Sequence, residues 1–192
     1  MNTTNILICG VGGQGIVLAG DIIGMAARLS GLEAKASEIH GMSQRGGSVV
    51  SEVRYGSQVN SPLIPLPGAD FVLAFELLEG LRGIDRLRPG GLAIVNRQII
   101  IPSSVTYGTA QYPENVEADI ISSASGAIII DALDMANKVG NPRAVNSVMM
   151  GVLAEKSTLP INCWEEAIKK LVKPKFIDIN LAAFNCGREI CK

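Results

Sequence analysis

Two glycine-rich segments hold the residues that could bind a ligand or take part in catalysis. The first, residues 10–15, reads Gly-Val-Gly-Gly-Gln-Gly and fits the pattern G-x-G-x-x-G. Because glycine lacks a Cβ atom, a phosphate can approach the main-chain N–H groups of such a turn, and a helix beginning there adds partial positive charge. The alternative is that the glycines only permit close packing of a strand against a helix. We predict a phosphate cradle whose members are Gly10, Gly12, Gly13, Gln14 and Gly15.

The second segment, residues 40–48, begins with the only histidine, His40. Arg45, on a flexible backbone, could clamp a phosphate or carboxylate through two parallel hydrogen bonds. A surface turn with a solvated arginine is the alternative. No partner carboxylate or nucleophile is identifiable for His40, so it is given no chemical role, and no catalytic residue or metal ligand is predicted. The residues that this segment adds to the predicted binding set are Arg45, Gly46, Gly47 and Ser48.

Three further polar residues are candidates for contact with a ligand. For a nicotinamide dinucleotide, an acid about twenty residues beyond the glycine motif should hold the ribose hydroxyls, and Glu38 is nearly in place. A long glycine-rich loop nevertheless follows it, where a short return into a helix is expected. Arg143 and Asn146 begin a later helix, and Asn146 either faces a ligand or partner or serves as a capping or exposed residue. A stand-alone dinucleotide reductase thus stays open as a further hypothesis.

The surrounding sequence predicts the elements that position these loops. Residues 5–10 are a short apolar run ending in glycine, typical of a buried strand in a parallel sheet. Apolar residues then recur at helical spacing over 18–29 and stop at Gly31, which suits the C′ position. Residues 49–55 alternate in type with a period of two, which predicts a strand with two different faces. Strand, glycine turn and helix therefore follow one another at the first loop.

Similar patterns continue to the end of the sequence. The predicted strands are residues 5–10, 34–39, 49–55, 70–75, 92–96, 104–107 and 126–130. The predicted helices are residues 18–29, 76–87, 132–139, 142–156, 163–172 with Asn162 as N-cap, and 174–190. A proline-rich connection is expected at 62–68 and a turn at 88–91. This alternation predicts an α/β fold, a Rossmann-like open and mostly parallel sheet with flanking helices and a helical C-terminal third, in a single domain over residues 1–192.

Composition narrows the classes of function. Seventeen Lys and Arg against eighteen Asp and Glu give a net charge of −1, so nucleic acid is not an expected partner. The glycine-interrupted apolar stretch near the start is unlike a spanning helix, and the N-terminal residues lack a signal peptide's positive charges, so a cytoplasmic location is predicted. Charged residues make up 18%, below the usual quarter or so, which suggests a partly covered surface. The four cysteines lack CxxC spacing and are predicted to be free thiols, with a Cys186–Cys191 disulfide or metal pair as the alternative.

The two loops together resemble a known family. Gly10-Val-Gly-Gly-Gln-Gly15, followed by Glu38-Ile-His-Gly-Met-Ser-Gln-Arg-Gly-Gly-Ser-Val-Val50 and the strand at 51–55, closely resembles the small (beta) subunits of indolepyruvate:ferredoxin oxidoreductases. More broadly, the sequence is similar to the gamma domain of pyruvate and other 2-oxoacid:ferredoxin oxidoreductases. The resemblance continues through residues 70–96, 131–151 and 180–184. It therefore covers nearly the whole chain.

The resemblance implies an oxidative decarboxylation, in which an arylpyruvate and coenzyme A give an arylacetyl-CoA and carbon dioxide while electrons pass to ferredoxin. It implies a large (alpha) partner subunit that carries thiamine diphosphate, Mg²⁺ and iron-sulfur clusters, with no cofactor held tightly by this chain, which could form a homodimer when isolated. The sequence has no GDG segment followed by paired asparagines and no cysteine run for a cluster. The glycine loops are expected either to bind the phosphate end of coenzyme A or to contact the large subunit. The alternative hypothesis is a non-catalytic nucleotide-binding or assembly module of another 2-oxoacid oxidoreductase.

Overall fold

A computed structural model describes residues 3–40 and 47–190, with His40 described by its backbone alone. The strands in these residues are β1 (Thr4–Val11), β2 (Glu33–His40), β3 (Ser48–Gly56), β4 (Ala69–Ala74), β5 (Leu87–Asn96) and β6 (Ala127–Ile130). The helices are α1 (Ile16–Leu29), α2 (Leu77–Gly83), α3 (Ser103–Thr106), α4 (Val116–Ser123), α5 (Ala132–Val139), α6 (Val145–Lys156), α7 (Ile161–Leu171) and α8 (Ile177–Glu189). Short 3-10 turns at 84–86, 142–144 and 174–176 precede β5, α6 and α8.

The strands form one sheet in the order β2-β3-β1-β4-β5-β6. β1, β4, β5 and β6 pair in parallel, whereas β3 runs antiparallel to both of its neighbours. β2 therefore points the same way as β1 but lies two positions away from it. The predicted α/β class with a mostly parallel sheet is confirmed, and β3 is the one reversed strand.

Helices cover both faces of the sheet. Alternate residues of β1 face opposite sides, so Ile8 packs with α1 and the C-terminal helices, whereas Leu7 packs with α2 and α4. The helix that follows β1 and the helix that follows β4 thus lie on opposite faces. This is a topological switch point, and the crevice that it opens lies at the carboxyl ends of β1 and β4, where α/β proteins usually bind their ligands. The first glycine loop lies at this edge.

Three local predictions are wrong: the strand at 104–107, the N-cap of α7 and the turn at 88–91. Residues 104–107 were expected to be a strand, but they lie in and just after α3, where the Thr106 hydroxyl donates to Pro102 O and the Thr109 hydroxyl to Ser104 O. Such local side-chain bonds favour a turn over a strand. Helix α7 begins at Ile161, so Asn162 lies within its first turn and is not its N-cap. The expected turn at 88–91 is a bulge within β5, since Leu87 pairs with Ala69 and Leu92 with Phe71.

Two other differences concern helices. The helix expected over 76–87 ends at Gly83 and continues only as a 3-10 turn. Helix α4 was not predicted, and its eight residues pack Val116 and Ile120 against the sheet. In residues 3–40 and 47–190, no helix has both the length and the apolar character that crossing a bilayer requires.

Candidate functional site

The first glycine loop turns the chain directly from β1 into α1. Gln14 N donates to Val11 O at 3.2 Å, which closes the turn. Gly13 and Gly15 have φ angles of 101° and 77°, in the left-handed region that favours glycine. Gly15 is the N-cap of α1, and no side chain caps the helix. The first-turn N–H groups of α1 are therefore left to other partners, which is the arrangement that binds anions at a helix N-terminus.

Gln14 holds this loop against the sheet. Its side-chain oxygen accepts from Val11 N at 2.7 Å, and its amide nitrogen donates to Phe75 O at 2.9 Å and to the Gln98 side chain at 3.1 Å. A Cβ atom on Gly10 would lie 2.7 Å from the Gln14 oxygen, so this glycine makes room for the bond network. Gln14 and Gly10 thus support the loop, and both N–H groups of the Gln14 amide are used within the protein.

The second glycine segment meets the first at its described end. Gly12 N donates to Gly47 O at 3.0 Å, which brings the two loops together. The Ser48 hydroxyl does not point to the loop, since it donates to the carboxylate of Glu79 on α2. Arg45 and Gly46 lie outside the described residues. Of the residues predicted from this segment, the structure therefore places Gly47 beside the first loop and Ser48 behind it.

The hydrogen bonds of the loop reduce the number of its N–H groups that could bind a phosphate. The N–H groups of Gly12 and Gln14 are already used within the protein. Those of Gly13 and Gly15 have no hydrogen-bond partner within residues 3–40 and 47–190. The donors open to an anion are thus these two N–H groups and the first turn of α1.

Asn146, at the start of α6, faces this loop from across the cleft. The residue is 8% exposed, and its Oδ1 accepts from Ser147 N at 2.9 Å. Its Nδ2 lies 3.0 Å from the place that a Cβ atom on Gly15 would occupy, and it has no hydrogen-bond partner in the described part of the chain. Nδ2 is thus a hydrogen-bond donor available at the wall of the cleft, where an acceptor group of a ligand could meet it.

Arg143 supplies the positive charge beside Asn146. It lies in the 3-10 turn before α6, whose start is capped by Asn141, since Asn141 Oδ1 accepts from Arg143 N at 3.0 Å. The side chain of Arg143 is exposed, and no carboxylate among the described residues pairs with it. Sequence reasoning noted these residues without placing them at the loop, because more than a hundred residues separate them from it.

The loop, Arg143 and Asn146 enclose a cleft of about 350 Å³. No carboxylate is among the described residues that line it, which suits an anionic ligand. The lining residues are Gly13, Gln14, Gln98, Leu133, Pro142, Arg143, Val145 and Asn146.

Two buried carboxylates lie behind the loop and were not identified from the sequence. Glu76 caps α2 by accepting from Glu79 N at 2.9 Å, and its other oxygen accepts from Ile100 N at 3.1 Å. Glu79 accepts from Ser48 and from Arg82. Glutamate is not among the residues preferred at N-caps, so no local signal in the sequence marks Glu76 as a cap. These bonds satisfy both carboxylates, so their role is to fix α2 and the segment that follows β5.

The neighbouring titratable groups are held in their neutral forms. Burial, followed by the charges of Glu79 and Glu76, raises the pKa of the Cys9 thiol, which donates to Glu79 O. Burial and the nearby Glu76 carboxylate likewise raise the pKa of Tyr112 to about 12. Cys9 is therefore not activated as a nucleophile. No cluster of three or more His, Cys, Asp or Glu residues suited to a metal ion occurs within residues 3–40 and 47–190.

Comparison with known proteins gives full-length similarities. A sequence model of the pyruvate ferredoxin/flavodoxin oxidoreductase family matches residues 5–190. The chain is 38% identical to the indolepyruvate oxidoreductase subunit IorB of Pyrococcus horikoshii, covering 100% of this chain and 98% of that protein. It is 42% identical to the subunit of the same name from Archaeoglobus fulgidus, covering 95% and 92%. A crystal structure of the keto/oxoacid ferredoxin oxidoreductase gamma subunit from Geobacter sulfurreducens aligns with a TM-score of 0.72 at 26% identity, covering 97% and 96%.

Proposed function

Because the chain belongs to the pyruvate ferredoxin/flavodoxin oxidoreductase family, we propose that it is the small subunit of a cytoplasmic indolepyruvate, or more broadly arylpyruvate, ferredoxin oxidoreductase. The observation that carries this proposal is the identity of 38% and 42% to two indolepyruvate oxidoreductase subunits across essentially their whole lengths. The reaction would convert an aryl 2-oxoacid and coenzyme A to the arylacetyl-CoA and carbon dioxide, with ferredoxin taking the electrons.

In this proposal the chain works only with a large partner subunit. Thiamine diphosphate with Mg²⁺ would supply decarboxylation there, and iron-sulfur clusters would carry the electrons. The small subunit would bind and orient coenzyme A, whose phosphates meet the uncapped N-terminus of α1 at Gly13 and Gly15. Asn146 Nδ2 adds a hydrogen-bond donor and Arg143 a positive charge, and Arg45 and Gly46 would add to them from the second loop.

The sheet order counts against a stand-alone dinucleotide reductase. In the usual dinucleotide fold, the strand that carries the ribose-binding acid lies directly beside the first strand. Here β3 lies between β1 and β2, so Glu38 is on a strand roughly 10 Å from β1, at the usual strand spacing. The acid that suggested a nicotinamide dinucleotide is thus displaced from the loop.

We expect the chain to be inactive alone and to copurify with a larger chain. The test is an anaerobic affinity purification of the tagged chain from its native cells, with the retained proteins identified by mass spectrometry. A near-stoichiometric large chain with thiamine and ferredoxin-type cluster motifs should then support turnover of indolepyruvate, with phenylpyruvate and 2-oxoglutarate as competing substrates. Recovery of the chain only with itself, under conditions that preserve such complexes, would contradict the proposal, and tight NAD(P) binding would favour the reductase.

Replacing Arg45 by alanine should separate a coenzyme A role of the second loop from an interface role. A lost charge-assisted hydrogen bond to phosphate should raise the KM for coenzyme A by about tenfold or more, with the complex still assembled. The matched control is Arg88→Ala, which removes an equal charge at the opposite edge of the sheet, where Arg88 pairs with Asp70. An intact complex with an unchanged KM would reject the phosphate role, and loss of the partner would assign Arg45 to the interface.

A further inference from the structure

The connection between β5 and α4 presents apolar side chains to solvent. It runs over residues 97–115 and contains only the four-residue helix α3. Ile99, Ile101 and Tyr107 on this connection are 54%, 52% and 81% exposed. Connections of this length in a compact domain usually have a function, and a concentration of exposed apolar side chains is typical of a surface that another protein covers.

The backbone between the two isoleucines is held in place by α2. Ile100 N donates to the carboxylate of Glu76, the N-cap residue of α2, at 3.1 Å. The same carboxylate oxygen accepts from the Tyr112 hydroxyl at 3.5 Å, near the other end of the connection. The isoleucines are therefore exposed on a backbone whose position is fixed. A partner can cover them at little cost in ordering the connection.

A hollow of about 350 Å³ opens beside Ile99, at the start of α4. Its lining combines the apolar or aromatic residues Leu77, Ile99 and Tyr112 with the acidic residues Glu114 and Glu117. No Lys, Arg or His is among the described residues that line it. The hollow suits a lysine or arginine side chain, whose aliphatic part can lie along apolar groups while its charged end meets a carboxylate.

Glu114 is the carboxylate open to such a cation. Glu117 is already paired, since its Oε1 lies 2.8 Å from Arg97 Nε. Glu114 is exposed and has no cationic partner within residues 3–40 and 47–190. A cation from another chain can therefore pair with Glu114 without breaking an ion pair of this chain.

These residues adjoin the edge of the sheet at which the two subunits must meet. Gln98, next to Ile99 in the chain, lines the glycine-loop cleft. In the proposed function coenzyme A is held in that cleft and thiamine diphosphate on the large chain, and reacting atoms must come within about 3–3.5 Å of each other. The large chain must therefore approach the rim of the cleft, which places it beside Ile99.

We propose that Ile99, Ile101 and Glu114 form a docking surface for the large partner chain. Apolar side chains of that chain cover the two isoleucines, and one of its lysine or arginine side chains enters the hollow. Removal of the isoleucine surface from water supplies affinity, whereas the ion pair selects which segment of the partner binds. This inference rests on the proposed function, which supplies the large chain, and it adds where and by what chemistry that chain is held.

The test uses tagged variants expressed in the native cells, where the untagged wild-type chain competes for the large chain. Mass spectrometry after anaerobic purification measures the large chain recovered with each variant, relative to the tagged wild type. Ile99→Asp and Ile101→Asp should each lower this recovery about tenfold or more, because a carboxylate would be buried in an apolar contact. The matched control is Leu63→Asp, since Leu63 is 57% exposed on the connection between β3 and β4. Its recovery should equal that of the wild type.

Glu114→Lys tests the ion pair. It should lower recovery about threefold or more, because repulsion between like charges replaces an attraction. The control is Glu189→Lys, which makes the same change at the exposed end of α8. Circular dichroism shows whether each variant is folded. Should an aspartate variant fail to fold, Glu114→Lys decides, because Glu114 has no hydrogen bond or ion pair in the described part of the chain.

Recovery equal to that of the wild type for both aspartate variants would overturn the proposal. So would variants that keep the large chain but lose a second copy of this chain or ferredoxin, since the surface would then bind that occupant. Loss of the large chain from the aspartate variants but not from Glu114→Lys would overturn the entry of a cation into the hollow. The proposed function fails separately, because it fails when the tagged wild type itself recovers no large chain.

Discussion

Replacing Gly187 by alanine will destabilise the protein by about 3 kcal/mol or more, because no space exists for a methyl group. The backbones of α6 and α8 touch where they cross. A Cβ atom on Gly187 would lie 2.0 Å from Val148 O, and one on Gly151 would lie 2.0 Å from Phe184 O. Both contacts are with backbone oxygen atoms of a helix, which cannot relieve a clash by changing rotamer as a side chain can. The two helices would have to separate, and their packed side chains with them.

The matched control is Gly24→Ala in α1. Its new Cβ atom would meet only the flexible end of Arg28, at 3.5 Å. Since alanine favours a helix over glycine, this variant should match the wild type or gain up to about 1 kcal/mol. Urea unfolding followed by the fluorescence of Trp164, the only tryptophan, measures both changes, because its ring is buried and stacks on Phe184 at 6.1 Å. A Gly187→Ala variant as stable as wild type would show that the helices do not cross this closely.

The same crossing matters for the candidate site. Helix α6 carries Asn146, and α8 carries Asn180, which is bonded to Ser147. The distance between the two helices therefore sets the position of Asn146 relative to the glycine loop. Because the two helices are in backbone contact, Asn146 has little freedom to move.

Elements that local patterns define could be predicted from the sequence. Helix α1 with its Gly31 end and α5 with Gly140 as its left-handed cap are confirmed because each depends on periodicity and on one glycine. Strand β6 is confirmed as a short apolar run. The direction of β3 was not predicted, although a signal existed. Parallel neighbours need a connection of a dozen or more residues, and far fewer separate β2 from β3.

The site could be predicted only in part, because half of it depends on tertiary contacts. The G-x-G-x-x-G turn follows from residues adjacent in the chain. The partnering of that turn with Asn146 and Arg143 depends on how α6 packs against the end of α1, which no local pattern encodes. Within the motif, sequence alone also cannot separate a glycine that makes room, such as Gly10, from one whose N–H group is open, such as Gly13.

Replacing Gly15 by alanine should abolish most coenzyme A binding. Gly31→Ala is the matched control, because it introduces a similar backbone strain away from the loop. Both glycines have left-handed φ angles, 77° and 82°, so each alanine should cost about 1–2 kcal/mol of stability from backbone strain. A Cβ atom on Gly31 would meet nothing within 4 Å, whereas one on Gly15 would lie 3.0 Å from Nδ2 of Asn146, a residue that lines the cleft.

The affinity of the assembled complex for coenzyme A, measured by calorimetry, should therefore fall more than about tenfold for Gly15→Ala and stay unchanged for Gly31→Ala. Thermal unfolding of both variants confirms that their stability losses are alike. If Gly15→Ala bound coenzyme A as the wild type does, the phosphate could not lie between Gly15 and Asn146. The glycine loop would then serve the packing of β1 against α1 or the contact with the large subunit. Because the strain is similar in both variants, a difference in affinity reports a change at the loop itself, either the space that the methyl group fills or a shift of the Gly15 N–H group.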